Sequence, residues 1–421
     1  MKVNLFDMVL CFSKALDLLH PKISDHHLRV GYIAACIAEE MKLPDSDIQD
    51  VFIAGALHDV GAASSVTRLA LLDFAMSNYT LDAVSAPEDL HRHGHDAYLL
   101  MRDFPPFVAA ANMVRFHHVE WNEGRGAVFD GCPVPLGGHI LNLADRVAIL
   151  PDGERNILLQ SSAIRTRIAT EVGRRFKPDV VDAFLSVSER ESFWLDAVSP
   201  QKVSIIRARF TRQEIDLDLD ELHQLARIFG HIIDYRSPFT AQHSTGVATV
   251  AEVLAIKAGF PHDECRQIGI AGLLHDVGKL SVPVTILNKP GPLDNEEISI
   301  IRQHSYHTYQ ILSGVPHLET IRQWAAWHHE RIDGTGYPFR NGELPYPSRL
   351  IAVADIFTAI TEDRPYRAGM SRSEAQELLN KQVTGGAIDG DIVALLHDNF
   401  DEINANRKFS QSHGGSLQTV V

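Results

Sequence analysis

Five histidines and two aspartates in the second half of the chain have the types and spacing to hold metal: His243, His275, Asp276, His304, His328, His329 and Asp355. Imidazole nitrogens mixed with carboxylate oxygens suit divalent first-row ions such as Fe, Mn, Co, Ni or Zn. Seven donors exceed what one four-coordinate ion takes, and an aspartate directly after a histidine can bridge two ions, which points to a binuclear centre. Two such ions activate water at neutral pH and hold phosphoryl oxygens through an in-line displacement. Lys279 lies one helical turn beyond His275, where a cation can neutralise charge building on a phosphate oxygen. After the His328-His329 pair comes Glu330-Arg331-Ile332-Asp333-Gly334-Thr335-Gly336-Tyr337-Pro338, whose glycines and proline predict a tight loop able to rim a substrate.

The elements that must position these residues occur twice. A shift of 217 positions carries His26 onto His243 and His58-Asp59-Val60-Gly61 onto His275-Asp276-Val277-Gly278. A shift of 211 carries His93 onto His304 and His117-His118 onto His328-His329, and one of 210 sets Asp145 beside Asp355. Such self-similarity marks a duplication. It predicts a first domain over residues 1–198, a linker over 199–215 opened by Ser199-Pro200, a second domain over 216–400 and a disordered polar tail over 401–421.

In each copy the periodicity is helical. Leu222, Leu225, Ala226, Phe229, Ile232 and Ile233 form a stripe at i, i+3, i+4, i+7 spacing, and Gly259 with Pro261 stops the helix after Val247–Ala258. Alternating strand patterns are missing, so the expected fold class is all-α, two helical bundles in tandem. A net charge of −15 argues against gripping a nucleic-acid polymer. Cys11, Cys36, Cys132 and Cys265 form no Cys-x-x-Cys pair, which fits a reducing compartment. No apolar run reaches the roughly 20 residues of a membrane helix, and Asn4–His20 carries Asp7, Lys14 and Asp17, unlike a secretory signal. A cytoplasmic protein without a membrane partner is expected. His223, His231, His262, His317 and His397 read as structural residues.

The second copy resembles the HD-GYP family of bacterial cyclic-di-GMP phosphodiesterases, within the HD phosphohydrolase superfamily. The strings that carry the resemblance are His275-Asp276-Val277-Gly278-Lys279, the His328–Pro338 segment, Val353-Ala354-Asp355-Ile356-Phe357 and Asp363-Arg364-Pro365-Tyr366-Arg367. The resemblance implies two HD-type bundles and hydrolysis of a 3′–5′ phosphodiester in a cyclic dinucleotide, cyclic-di-GMP or 3′,3′-cyclic GMP-AMP, to the linear dinucleotide. It implies that Asp276 bridges two ions, with His243, His275 and Asp355 on one and His304, His328 and His329 on the other. Gly336, Tyr337, Arg364 and Arg367 become the expected substrate contacts. Family members with a third metal carry glutamate where Phe239 stands, so two ions are expected; a customary aspartate is replaced by Thr358.

The first copy keeps every ligand position, His26, His58, Asp59, His93, His117, His118 and Asp145, but Ala62 stands for the lysine and Val119–Gly124 for the loop. It reads as a second metal site, with a structural or dimerising module as the other reading; a homodimer is compatible with both. Two alternatives for the whole chain stay open: a phosphohydrolase of another nucleotide, its N-terminal domain a 5′-phosphomonoesterase, or a cyclic-dinucleotide sensor without turnover.

Overall fold

The computed structural model describes residues 1–18, 25–64, 87–235, 242–363 and 368–413. It divides into two units, Met8–Ile215 and a second that joins Met1–Asp7 to Asp216–Val421. The described elements are helical except for four two-residue strands: β1 (Val3–Asn4), β2 (Val128–Phe129), β3 (Cys132–Pro133) and β4 (Asp216–Leu217). β2 and β3 make a small antiparallel ribbon, and β1 pairs antiparallel with β4 in the register Val3 to Leu217. That pairing is why the first residues belong with the second unit rather than with the first domain expected from the sequence.

The first unit runs through α1 (Leu5–Asp17), α2 (His26–Glu40), α3 (Asp45–Leu57), α4 (Pro87–Met101), α5 (Val108–Val114), α6 (Leu136–Ile149), α7 (Leu158–Ala169), α8 (Pro178–Val187), α9 (Glu191–Val198) and α10 (Lys202–Phe210). Its centre is α2, which packs on α3, α6 and α8 and is buried almost all round, as a helix without a polar face must be. The second unit holds α11 (Leu219–Asp234), α12 (His243–Lys257), α13 (His262–Leu274), α14 (Val284–Leu287), α15 (Asn295–Leu312), α16 (Glu319–Ala326), α17 (Tyr346–Thr361), α18 (Arg372–Thr384), α19 (Gly390–Asp398) and α20 (Phe400–His413). Here α12 is central, against α13, α17 and α20. Capping boxes begin α11 (Asp218 with Glu221), α15 (Asp294 with Glu297) and α18 (Ser371 with Glu374). Pro44 and Pro261 hold equivalent places before α3 and α13, whose C-terminal ends deliver His58 and His275.

Two segments differ from their sequence reading. The expected linker contains α10, which buries Lys202, Ile206 and Phe210 at four-residue spacing against α2, α3 and α9. The expected polar tail contains α20, which buries Phe400, Ile403 and Arg407. Its composition is polar, but one stripe suffices to dock it: Arg407 Nη2 donates to the Thr361 carbonyl at 3.0 Å and Gln411 Nε2 to that of Gln242 at 3.0 Å. Phe210 is fully buried, its ring centroid 6.0 Å from Tyr32 and 6.3 Å from Phe52. Phe210→Ala is therefore expected to destabilise the first unit by about 3–5 kcal/mol in denaturant unfolding, whereas a true linker residue would leave the midpoint unchanged.

Candidate metal centres

Both centres are built on one local device. In the second unit the Nδ1–H groups of His275, His304 and His328 each donate to the carbonyl three residues earlier, Gly272, Ile301 and Ala325, all at 2.7 Å. A carbonyl can only accept, so the proton sits on Nδ1 and each Nε2 presents a lone pair. The lone pairs converge on Asp276 and Asp355. His275 Nε2 lies 3.1 Å from Asp276 Oδ2, His304 Nε2 3.4 Å and His328 Nε2 3.9 Å from Asp276 Oδ1, and His243 Nε2 3.0 Å from Asp355 Oδ1. His329 joins His304 and His328 in a triad whose ligand atoms all lie within 4.8 Å of one another. All seven expected ligands are thus brought together.

The backbone allows this because Gly278 has no side chain. A Cβ there would meet the His304 carbonyl oxygen at 1.9 Å, so only glycine lets the turn after Asp276 press onto α15. Thr308 fastens the contact, its hydroxyl donating to the His275 carbonyl and accepting from the Gly278 N–H. Gly61 does the same in the first unit, where a Cβ would meet the His93 carbonyl at 2.1 Å.

The donor set fits a divalent cation. His304 Nε2 and His328 Nε2 face each other at 3.2 Å, two acceptors that repel unless something positive lies by them. His275 Nε2 and Asp276 Oδ1 are buried with no hydrogen-bond partner, which is costly without an ion. Burial pushes His304 down to about 3 and His329 to about 4, and, with the neighbouring imidazoles, holds His328 well below its ordinary value. These rings are neutral, as ligation requires. Burial disfavours a charged His243, but hydrogen bonds to Asp355 and Glu362 push it up to about 10. Glu362 Oε2, 3.3 Å from His243 Nδ1, is the carboxylate that orients this ring from behind.

Lys279 places its ammonium directly on Asp276 Oδ2. Burial lowers its proton affinity, yet Asp276 outweighs that, so the cation persists. The loop after the histidine pair is clamped by Glu330, which accepts from Phe339 N at 2.6 Å and Asn341 N at 3.0 Å. It sets the Tyr337 ring 4.8 Å from His329 and under the Arg302 guanidinium, 4.5 Å away. Gly336, Tyr337, His329, Arg302 and Ile301 line a cavity of about 380 Å³ beside the centre. Arg364, Arg367 and Phe239 lie outside the described residues. Thr358 is buried, its methyl against Gly246.

Sequence reasoning missed Glu362, Glu330 and Arg302. Glu330 lies inside the His328–Pro338 string but was given no role there, and Glu362 stands beside a motif with no ligand pattern of its own; Arg302, two residues before His304, had no partner to announce it.

The first unit repeats the plan. His58 and His117 donate through Nδ1 to Gly55 and Val114 carbonyls at 2.8 and 2.6 Å, and His93 Nε2 lies 3.1 Å from both His117 Nε2 and His118 Nε2. His26 Nε2 is 3.3 Å from Asp145 Oδ1, and Asp59 reaches His58 through Oδ2 and His93 through Oδ1, each at 3.4 Å. Burial pushes His58 to about 4 and His117 to about 3. All seven positions named for this copy converge too.

HD-domain family profiles match the chain twice, over residues 23–150 and 227–392. A 3′3′-cGAMP-specific phosphodiesterase of Vibrio cholerae, number 1, is 30% identical over 408 residues, 94% of this chain and 91% of that protein. Number 3 of the same organism is 27% identical over 93% of this chain and 94% of its own length. The cyclic di-GMP phosphodiesterase PA4108 of Pseudomonas aeruginosa is 40% identical, but over 32% of this chain and 34% of that one. In fold, the crystal structure of the V. cholerae cyclic GMP-AMP-specific phosphodiesterase V-cGAP3 superposes with a TM-score of 0.65 at 23% identity, covering 95% of this chain and 98% of that one. The chain belongs to the HD-domain family of metal-dependent hydrolases and carries two HD domains in tandem. Among the described residues no helix is long and apolar enough to cross a membrane.

If Glu362 orients His243 as a ligand, Glu362→Ala lowers the affinity of the C-terminal centre for a divalent ion about 10–100-fold. Titration with Mn(II) or Co(II) reads this, and an unchanged affinity would show that Glu362 serves only the fold.

Proposed function

We propose that the C-terminal domain hydrolyses one 3′–5′ phosphodiester of a cyclic dinucleotide, giving the linear dinucleotide. The observation that carries this is the convergence of six further ligand candidates around Asp276, with the Lys279 ammonium and an open cavity at their edge. Two divalent ions fit the set, His243, His275 and Asp355 for one, His304, His328 and His329 for the other, with Asp276 between; when bound they supply an activated water and Lewis acidity. Lys279 then neutralises charge on a phosphoryl oxygen while remaining hydrogen-bonded to Asp276. Tyr337 under Arg302 offers a face for a purine and a cation for a phosphate. The relatives that match along nearly the whole chain bear names specific to 3′,3′-cyclic GMP-AMP, which supports that substrate; the cyclic-di-GMP enzyme PA4108 matches over about a third.

The N-terminal centre supports a second reading, removal of the terminal phosphate from the linear product. It lacks the lysine and the loop but has a cation of its own, Arg146, whose Nε lies 3.9 Å from Asp145 Oδ2. A guanidinium suits the oxygens of a monoester. The expected setting is cytoplasmic, as one chain or a homodimer.

Chromatography of products from a panel of cyclic dinucleotides, with metal measured on the same sample, tests this: linear dinucleotide is expected, and ligand returned intact would make the protein a sensor. Asp276→Ala is expected to abolish ring opening and strip metal from that domain. Lys279→Ala should retain metal and lose about 10²–10³-fold in kcat; loss of metal instead would make Lys279 a support for Asp276. Gly336→Val, whose Cβ would meet Arg331 N at 2.4 Å and Glu330 Cα at 2.5 Å, should displace the loop, raise KM and alter preference among cyclic dinucleotides. Unchanged kinetics for every substrate would reduce the loop to a connector.

A further inference from the structure

The two centres differ at one matched set of positions. In the C-terminal unit, Asp234 accepts from Ser244 N and Ser244 Oγ, both at 2.8 Å, and the basic group on Asp276 Oδ2 is Lys279. In the N-terminal unit the residue matching Lys279 is Ala62, and the residue matching Ser244 is His27. His27 is buried, and it spans what serine cannot. Its Nδ1 lies 2.5 Å from Asp17 Oδ1, the counterpart of Asp234, and its Nε2 lies 3.7 Å from Asp59 Oδ2.

These contacts decide the chemistry of the ring. A carboxylate only accepts, so Nδ1 carries the proton that Asp17 takes, and Nε2 is the nitrogen left to face an ion on the Asp59 side. At 3.7 Å the pair is too long for a hydrogen bond. It matches two donors that share an ion, which lie about 3–4 Å apart when each sits about 2.1 Å from the metal. Lys202 and Arg29 both feel the charge of Asp17, though each interacts more strongly with Asp25, whose Oδ2 lies 3.4 Å from Lys202 Nζ. Lys202 comes from α10 and is buried. A carboxylate that fixes a histidine so that its other nitrogen binds metal is a common arrangement.

We propose that His27 is an additional metal ligand of the N-terminal centre, oriented by Asp17 and binding on the Asp59 Oδ2 side beside His58. The centre therefore has a further nitrogen donor where its C-terminal counterpart has the Lys279 ammonium on Asp276. This rests on the reading that the N-terminal domain binds metal at all.

The test uses the full chain carrying His275→Ala, Asp276→Ala, His304→Ala and His328→Ala, so that both ion positions of the C-terminal centre lose ligands, titrated with Co(II) alone. Three proteins are compared: this parent, the parent with His27→Gln, and the parent with Asp17→Asn. Glutamine keeps an N–H for Asp17 while removing the imidazole, and circular dichroism verifies the fold. The expected result is that His27→Gln weakens Co(II) binding at least 10-fold and changes the visible Co(II) spectrum, with Asp17→Asn moving affinity the same way. A parent that binds Co(II) and a His27→Gln variant with the same affinity and spectrum would overturn the assignment of His27 alone. A parent that binds no Co(II) would overturn the metal-binding reading of the domain, and the proposal with it. If His27→Gln fails to fold, His27→Ser, which restores the residue of the other copy, carries the same comparison.

Discussion

The structure depends on a hydrogen bond that is easily overlooked, from histidine Nδ1 to a backbone carbonyl three residues earlier. It recurs at His275, His304 and His328, and again at His58 and His117. Each bond spends the imidazole proton on a helix carbonyl and turns Nε2 inward. Five such rings, four of them within 4 Å of an aspartate oxygen, make two interiors dense in lone pairs that cations relieve. Much of the rest serves this geometry. Helices supply the carbonyls, Gly61 and Gly278 let the following turn approach the next helix, and the buried α2 and α12 carry His26 and His243 at their first residues.

On this shared frame the two units diverge in what surrounds the ligands. The C-terminal centre has Lys279, a loop clamped by Glu330 and an open cavity under Arg302. The N-terminal centre has Ala62, Arg146 and the Asp17–His27 pair. Ligands are preserved because a vacated buried position leaves its partners unpaired, whereas the groups facing substrate are free to change with the molecule they meet. One fold thus carries two clusters with different surroundings, as expected where function resides in sites rather than in architecture.

The converging histidines and aspartates were legible in the sequence because duplication supplies an internal reference. His304 and His307 lie one turn apart, and the match of His304 to His93 is what separates them. Helicity was equally plain in stripes such as Leu222 to Ile233. What could not be read were elements whose burial rests on few residues. Helix α10 docks through Lys202, Ile206 and Phe210 and was expected as a linker; α20 docks through Phe400, Ile403 and Arg407 within a polar stretch. Glu362 was hidden for another reason: it lies behind His243, and no spacing rule reports a contact across 119 residues. His27 stood in view beside His26, but its match to Ser244 gave it no ligand partner in the repeat.

The central claim is that inward-turned Nε2 atoms in both units are cation sites. Anomalous diffraction from crystals of the full chain grown with Mn(II) addresses it most directly. The account predicts anomalous peaks within ligand distance of Asp276, between the His275 and His304 sides, and of Asp59 in the other unit. Crystals that show only water at both positions, with the histidine rings rotated so that Nε2 donates to protein acceptors, would contradict it.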